Sequence, residues 1–129
     1  MRLSVCFDAP LHVIEPCGFP FSAKAVRKAA MDYAAEAEII AHPSWDRFQK
    51  DRPDGRLVLM TTKGAKPLWE HDFLAEDIIL MGRESAGAPD EVHDAADARL
   101  LIPMPGGGRS LNIAMAAGIT VAEAHRQLR

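Results

Sequence analysis

Three times the chain repeats one pattern: an apolar run, then a polar turn carrying glycine. The stretches are GRLVLMTTKG (55–64), EDIILMGRESAGAP (76–89) and ARLLIPM (98–104), the last continuing into PGGGRS. Each apolar run is too short for a helix and is bounded by turn residues, which is how a strand reads. Unbroken rather than alternating hydrophobicity is what a strand covered on both faces requires, and such strands belong to parallel sheets flanked by helices. The chain is therefore expected to be an α/β protein with a mainly parallel sheet.

The remaining stretches supply the other layers. LHVIEP (11–16) and AEIIAH (37–42) read as two further strands, the first stopped by Pro16 and Gly18. Between them Ser22 can cap a helix over AKAVRKAAMDY, with Lys24, Arg27 and Lys28 at i, i+3, i+4 on one face. SWDRFQKD predicts a short helix capped by Ser44 and ended before Pro53. SLNIAMAAGITVAEAHRQLR predicts a long final helix with Arg126 and Arg129 near its negative end. The order is β-α-β-α-β-β-β-α, with no internal repeat and no linker. At 129 residues this is one domain, 1–129.

Composition narrows the function classes. No apolar run approaches the roughly 20 residues of a membrane span, and the N-terminus carries too little apolar sequence for a secretory signal. Cys6 and Cys17 lie in apolar sequence without a pairing pattern, as reduced thiols of a cytoplasmic protein do. A net charge of −3 provides no general basic surface, so a nucleic acid partner would need a local patch.

The glycine-bearing turns all follow the carboxyl ends of strands, where open α/β sheets build ligand crevices. Their convergence would make a pocket lined by backbone. A P-loop is excluded because no lysine precedes Ser110, and no dinucleotide fingerprint occurs in the first βαβ unit. The acidic segment DEVHDAAD (90–97) matches no metal-site spacing and reads as a solvated helix face. His12, His42, His71 and His125 are scattered singly, so no nucleophilic triad is suggested and no metal is expected.

The ordered series VIEPCGFPFS, RKAAMDY, LMTTKG, ILMGRESAGAP, LIPM and RSLNIAMAAGI-VAEAHRQL resembles the SPOUT-class (SpoU-like) RNA methyltransferases. Within that class it is most similar to the small tRNA (cytidine/uridine) 2′-O-methyltransferases that modify the wobble nucleotide of the anticodon. The resemblance runs nearly end to end. It implies a C-terminal trefoil knot, which is too rare to propose from patterning. It also implies S-adenosylmethionine as cofactor and a homodimer that completes the active site. Carried over by motif, the cofactor contacts fall on Met60, Gly82, Ile102, Met104, Ser110 and Leu111. Arg2 takes the helper role in removing the ribose hydroxyl proton, with Tyr33 near the substrate and Asn112 beside the site of transfer. The basic face of Lys24, Arg27 and Lys28 becomes the candidate RNA contact, with Lys63, Lys66, Arg83 and Arg109 as further cations.

Two departures from the family pattern stand out. Ahead of Arg2 the family carries a first strand and an Asn-Thr-Gly turn, so the chain reads as N-terminally truncated, with Met1 inside the family's first helix. The pattern Glu-Thr-Arg-Gly is replaced by ESAG (84–87), which removes one basic contact. The alternative reading is accordingly a catalytically impaired SPOUT-like domain that binds cofactor or RNA, or only dimerises.

Overall fold

The computed structural model describes residues 2–15, 38–83, 87–108 and 111–129. The helix expected over 23–33, and with it Lys24, Arg27, Lys28 and Tyr33, lies outside the described residues. So do Cys17, Arg109 and Ser110. The chain divides into two compact units, Met1–Pro53 and Asp54–Arg129.

In the first unit a short helix α1 (Arg2–Cys6) leads into β1 (Leu11–Ile14), which pairs in parallel with β2 (Ile39–His42). Cys6 is exposed, contrary to the apolar surroundings its sequence neighbours suggested, because no residue of α1 is buried. The helix α2 (Trp45–Asp51) starts where Ser44 Oγ accepts from Arg47 N at 3.2 Å, and it buries Phe48. The Phe48 ring meets His12 and His42 edge-on. Those two imidazoles lie 6° from parallel, with His12 Nδ1 and His42 Nε2 2.8 Å apart, so one nitrogen donates to the other. Burial, then the neighbouring His42, lowers the His12 pKa against the opposing pull of Glu38.

The second unit is built on a four-stranded sheet in the order β4-β6-β3-β5, every pairing parallel. The strands are β3 (Leu57–Met60), β4 (Lys66–Pro67), β5 (Ile78–Met81) and β6 (Ala98–Leu101). Leu57, Val58 and Leu59 are all buried. Successive strand residues point to opposite faces, so both faces are covered at β3, as the unbroken apolar run predicted. One face carries the core of Val58, Leu68, Phe73, Leu100 and Ala124, with Met60, Ile79, Ala98, Ile102 and Ile119 packed against it. Ala124 and Ile119 come from the last helix, α4 (Ile113–Leu128), which Asn112 caps through bonds from Ala114 N at 2.8 Å and Met115 N at 3.4 Å. The mainly parallel α/β expectation holds. Among the described residues the strands form two sheets rather than one.

Two elements were not expected from the sequence: the two-residue β4 with its following 3-10 turn (Leu68–Glu70), and α3 (Asp90–Ala95) as a packed helix. The helix α1 agrees with the resemblance, which puts Met1 inside the family's first helix. Within the acidic segment Val92 and His93 are buried, and the Asp97 carboxylate accepts from Leu57 N at 2.7 Å. That segment is therefore exposed at Asp90, Glu91, Asp94 and Asp97, while Val92 and His93 turn inward.

At the amino-terminal edge of the sheet the entries of β3, β5 and β6 are locked by side chains. Arg56 donates to both oxygens of Asp77, at 2.8 and 2.7 Å, and also to Asp72 O. Asp77 additionally accepts from Leu74 N and meets His71 Nε2 at 3.3 Å. Burial alone would raise the Asp77 carboxyl pKa. The bonds from Arg56, Leu74 N and His71 outweigh it and hold the group below its ordinary range. From α4, Gln127 accepts from Phe73 N and donates to His71 O, which clasps the helix to the same loop.

Candidate functional site

The opposite edge of the four-stranded sheet is built differently. Because all strands are parallel, β3, β5 and β6 end side by side, and register places Met60 beside both Met81 and Leu100. This places Met60, Gly82 and Ile102, three of the residues expected to hold a cofactor, at the ends of adjacent strands, with Met104 two residues beyond Ile102; Met60, Ile102 and Met104 are half-buried. Leu111 is half-buried and Asn112 exposed, just ahead of α4. Arg2 is exposed on α1 in the first unit. Tyr33 and Ser110 lie outside the described residues.

The turns at this edge expose main chain. Gly106, Gly107 and Gly108 are exposed, and a Cβ placed on Gly106 or Gly107 would meet nothing within 4 Å. Gly107 has φ +80°, which glycine adopts without the strain an L side chain would feel. Gly82 is required for another reason. A Cβ there would stand 2.7 Å from Ala88 N and 2.8 Å from the Gly87 carbonyl carbon, so the returning backbone occupies the space of any side chain. Arg83 and Gly87 close that return with reciprocal bonds, Arg83 N to Gly87 O and Gly87 N to Arg83 O.

Hydroxyl and imidazole groups brace these turns. Thr61, directly after Met60, binds Leu100 O through its N–H and His93 Nε2 through its hydroxyl at 2.7 Å. Arg99 of β6 donates twice to His93 O. Sequence reasoning missed His93 and Asp97 because local pattern assigned 90–97 to solvent, and Arg99 because it stands inside a strand run. The hydroxyl of TTKG was the one available sign of a polar brace. Among the described residues no group of three or more His, Cys, Asp or Glu could hold a metal ion, and no helix is long and apolar enough to cross a membrane.

Half-buried apolar side chains beside bare main chain suit a flat heteroaromatic group, which packs against the former and hydrogen-bonds to the latter. On a parallel α/β sheet, at the carboxyl edge, that combination is what a nucleotide-type cofactor requires. The chain belongs to the SpoU rRNA Methylase family, whose profile matches residues 1–122. It is 45% identical over 128 residues to a tRNA (cytidine(34)-2′-O)-methyltransferase of Ancylobacter novellus, covering 98% of this chain and 81% of that protein. A solved structure described as giving insights into the 2-OH methylation of C/U34 on tRNA superposes with a TM-score of 0.90 and is 38% identical. That match covers 98% of this chain and 84% of that one. The AdoMet-bound rRNA methyltransferase of Sinorhizobium meliloti superposes with a TM-score of 0.85 at 29% identity, covering 99% of this chain and 50% of that one.

Proposed function

We propose that this chain is a cytoplasmic enzyme that transfers a methyl group from S-adenosylmethionine to the ribose 2′-hydroxyl of the wobble nucleotide in a tRNA anticodon. The observation that carries the reading is the carboxyl edge of the four-stranded sheet. Met60 and Ile102 pack at the ends of adjacent strands there, followed by Met104 and exposed glycine backbone, in a chain 45% identical over nearly its whole length to a tRNA (cytidine(34)-2′-O)-methyltransferase. When bound, S-adenosylmethionine supplies an electrophilic methyl group on sulfur. The protein's task is to fix the cofactor and the ribose in line and to ease loss of the hydroxyl proton.

In this reading Met60, Ile102, Met104 and Leu111 wall the adenine, while Gly82, the 106–108 backbone and Ser110 close around the cofactor. Arg2 is the helper for the 2′-hydroxyl proton, and Tyr33 and Asn112 contribute beside the reacting ribose. Because Asn112 Oδ1 accepts the α4 cap bonds, its Nδ2 is the group left to face substrate. Lys24, Arg27 and Lys28 contact the RNA backbone. The whole of 1–129 acts as one methyltransferase domain with a knotted C-terminal segment, and two copies associate through α4. Support for that association is the stripe of Met115, Gly118 and Ala122 at i, i+3, i+7. Met115 is 61% exposed, and a Cβ on Gly118 would touch nothing.

The test is transfer of a labelled methyl group to unmodified tRNA, followed by nucleoside mass spectrometry. Label in 2′-O-methylcytidine or 2′-O-methyluridine of the anticodon is expected. Cofactor binding by calorimetry without any transfer would replace this reading with that of an impaired binding domain.

A further inference from the structure

We infer that His93 is a positioning residue of the cofactor site, holding the turn after β3 to the segment that follows β5 so that the pocket is set before the ligand arrives. The inference rests on the S-adenosylmethionine site proposed above. His93 is 6% exposed and sits on α3, which begins where the chain returning from Gly82 ends.

Both ring nitrogens of His93 are engaged. Nδ1 lies 3.1 Å from Pro89 O, and since a carbonyl can only accept, Nδ1 carries the proton. In the neutral ring Nε2 is then an acceptor, and the Thr61 hydroxyl donates to it at 2.7 Å. The Thr61 oxygen in turn accepts from Lys63 N at 3.2 Å, so every donor in the chain of bonds has one acceptor. The bond within α3 fixes the tautomer. The bond to Thr61 spans the two turns. Thr61 follows Met60, the first of the expected adenine-wall residues, and its N–H is bound to Leu100 O on β6. The His93 carbonyl is bound by Arg99 of β6 at 3.0 and 3.2 Å. One buried residue therefore links the exit of β3, the helix that follows β5 and, through the Arg99 side chain, the body of β6.

Without the Thr61–His93 bond the β3 turn keeps its backbone link to Leu100 but loses its link to α3. Ordering the turn then falls to the ligand, which weakens binding. The test uses the full chain, with S-adenosylmethionine affinity from calorimetry and melting temperature measured side by side. His93→Leu keeps volume and burial while removing both bonds, Thr61→Val removes only the hydroxyl, and His93→Gln restores an amide that can accept. We expect each of the first two to weaken S-adenosylmethionine binding about tenfold, and the double variant no more than either, since both break one bond. His93→Gln should recover most of the loss, and its melting temperature should not account for the recovery. Unchanged affinity in His93→Leu and Thr61→Val overturns the inference while leaving the functional reading intact. Losses that add in the double variant and are not rescued by glutamine also overturn it, reducing His93 to a packing residue. A wild-type chain that does not bind S-adenosylmethionine overturns the functional reading, and this inference with it.

Discussion

The two edges of the four-stranded sheet are made from the same three long strands, yet they are held by opposite means. At the amino edge, side chains do the work: Arg56 clamps a buried Asp77, Asp97 receives Leu57 N, and Gln127 ties α4 to the 71–73 loop. At the carboxyl edge the turns are glycine, proline and main chain, with half-buried apolar side chains and a single imidazole brace. Charged side chains that pair with one another fill space and fix register. Bare backbone stabilises little and leaves its N–H and C=O groups accessible. The same sheet thereby separates the edge that keeps it folded from the edge proposed to hold the cofactor.

That separation can be broken by substitution. The largest effect is expected from Gly82→Val, whose side chain must displace the Ala88 and Gly87 backbone. S-adenosylmethionine affinity by calorimetry should fall at least about a hundredfold, while far-UV circular dichroism stays native. Retained affinity would show that the carboxyl edge tolerates a rearranged return. At the other edge, Asp77→Ala leaves the Arg56 guanidinium without its main partner. Because Arg56 is 39% exposed, the cost falls below that of a fully buried pair, at about 2–3 kcal/mol, or roughly 10–15 °C in melting temperature. Its ligand affinity below the transition should match wild type, and a parallel loss of binding would erase the distinction between the edges. Asn112→Ala should cost about 1 kcal/mol by removing the α4 cap, read from the denaturant midpoint.

The smallest effect is electrostatic. Asp77 has its pKa lowered in the folded chain, so its contribution is complete above its unfolded value of about 3.9 and is lost as pH falls toward the lower folded value. The stability gap between wild type and Asp77→Asn should therefore narrow as the pH drops below about 4. A gap that widens in acid would contradict the sign of the shift.

Local pattern and motif resemblance made different parts of this molecule legible. Strands β1, β2, β3, β5 and β6 were readable because their apolar runs are unbroken and end in turn residues. The Ser44 cap was readable because it is a local bond. β4 was not, since Lys66 and Pro67 gain their strand character only by lying against Leu100 and Leu101 of β6. Likewise nothing around His93 announces that its imidazole turns inward to Thr61, 32 positions earlier in the chain. For the site, spacing located the three turns and resemblance named the residues. The role of Gly82 needed coordinates, because the atoms that exclude a side chain there belong to a backbone that folds back on it.

The strand order also governs how this sheet can be assembled in time. β6 is the last strand made, yet it lies between β4 and β3. As the chain leaves the ribosome, β3 can pair with β5, but β4 has no strand neighbour and β3 keeps one edge open until β6 arrives and inserts. Insertion closes contacts between residues about 30 to 40 positions apart, a non-local step that makes folding slow. A nascent chain stalled after residue 97 would display the unpaired edge of an apolar β3, so synthesis of the final quarter of the chain protects the first half of this sheet from aggregation.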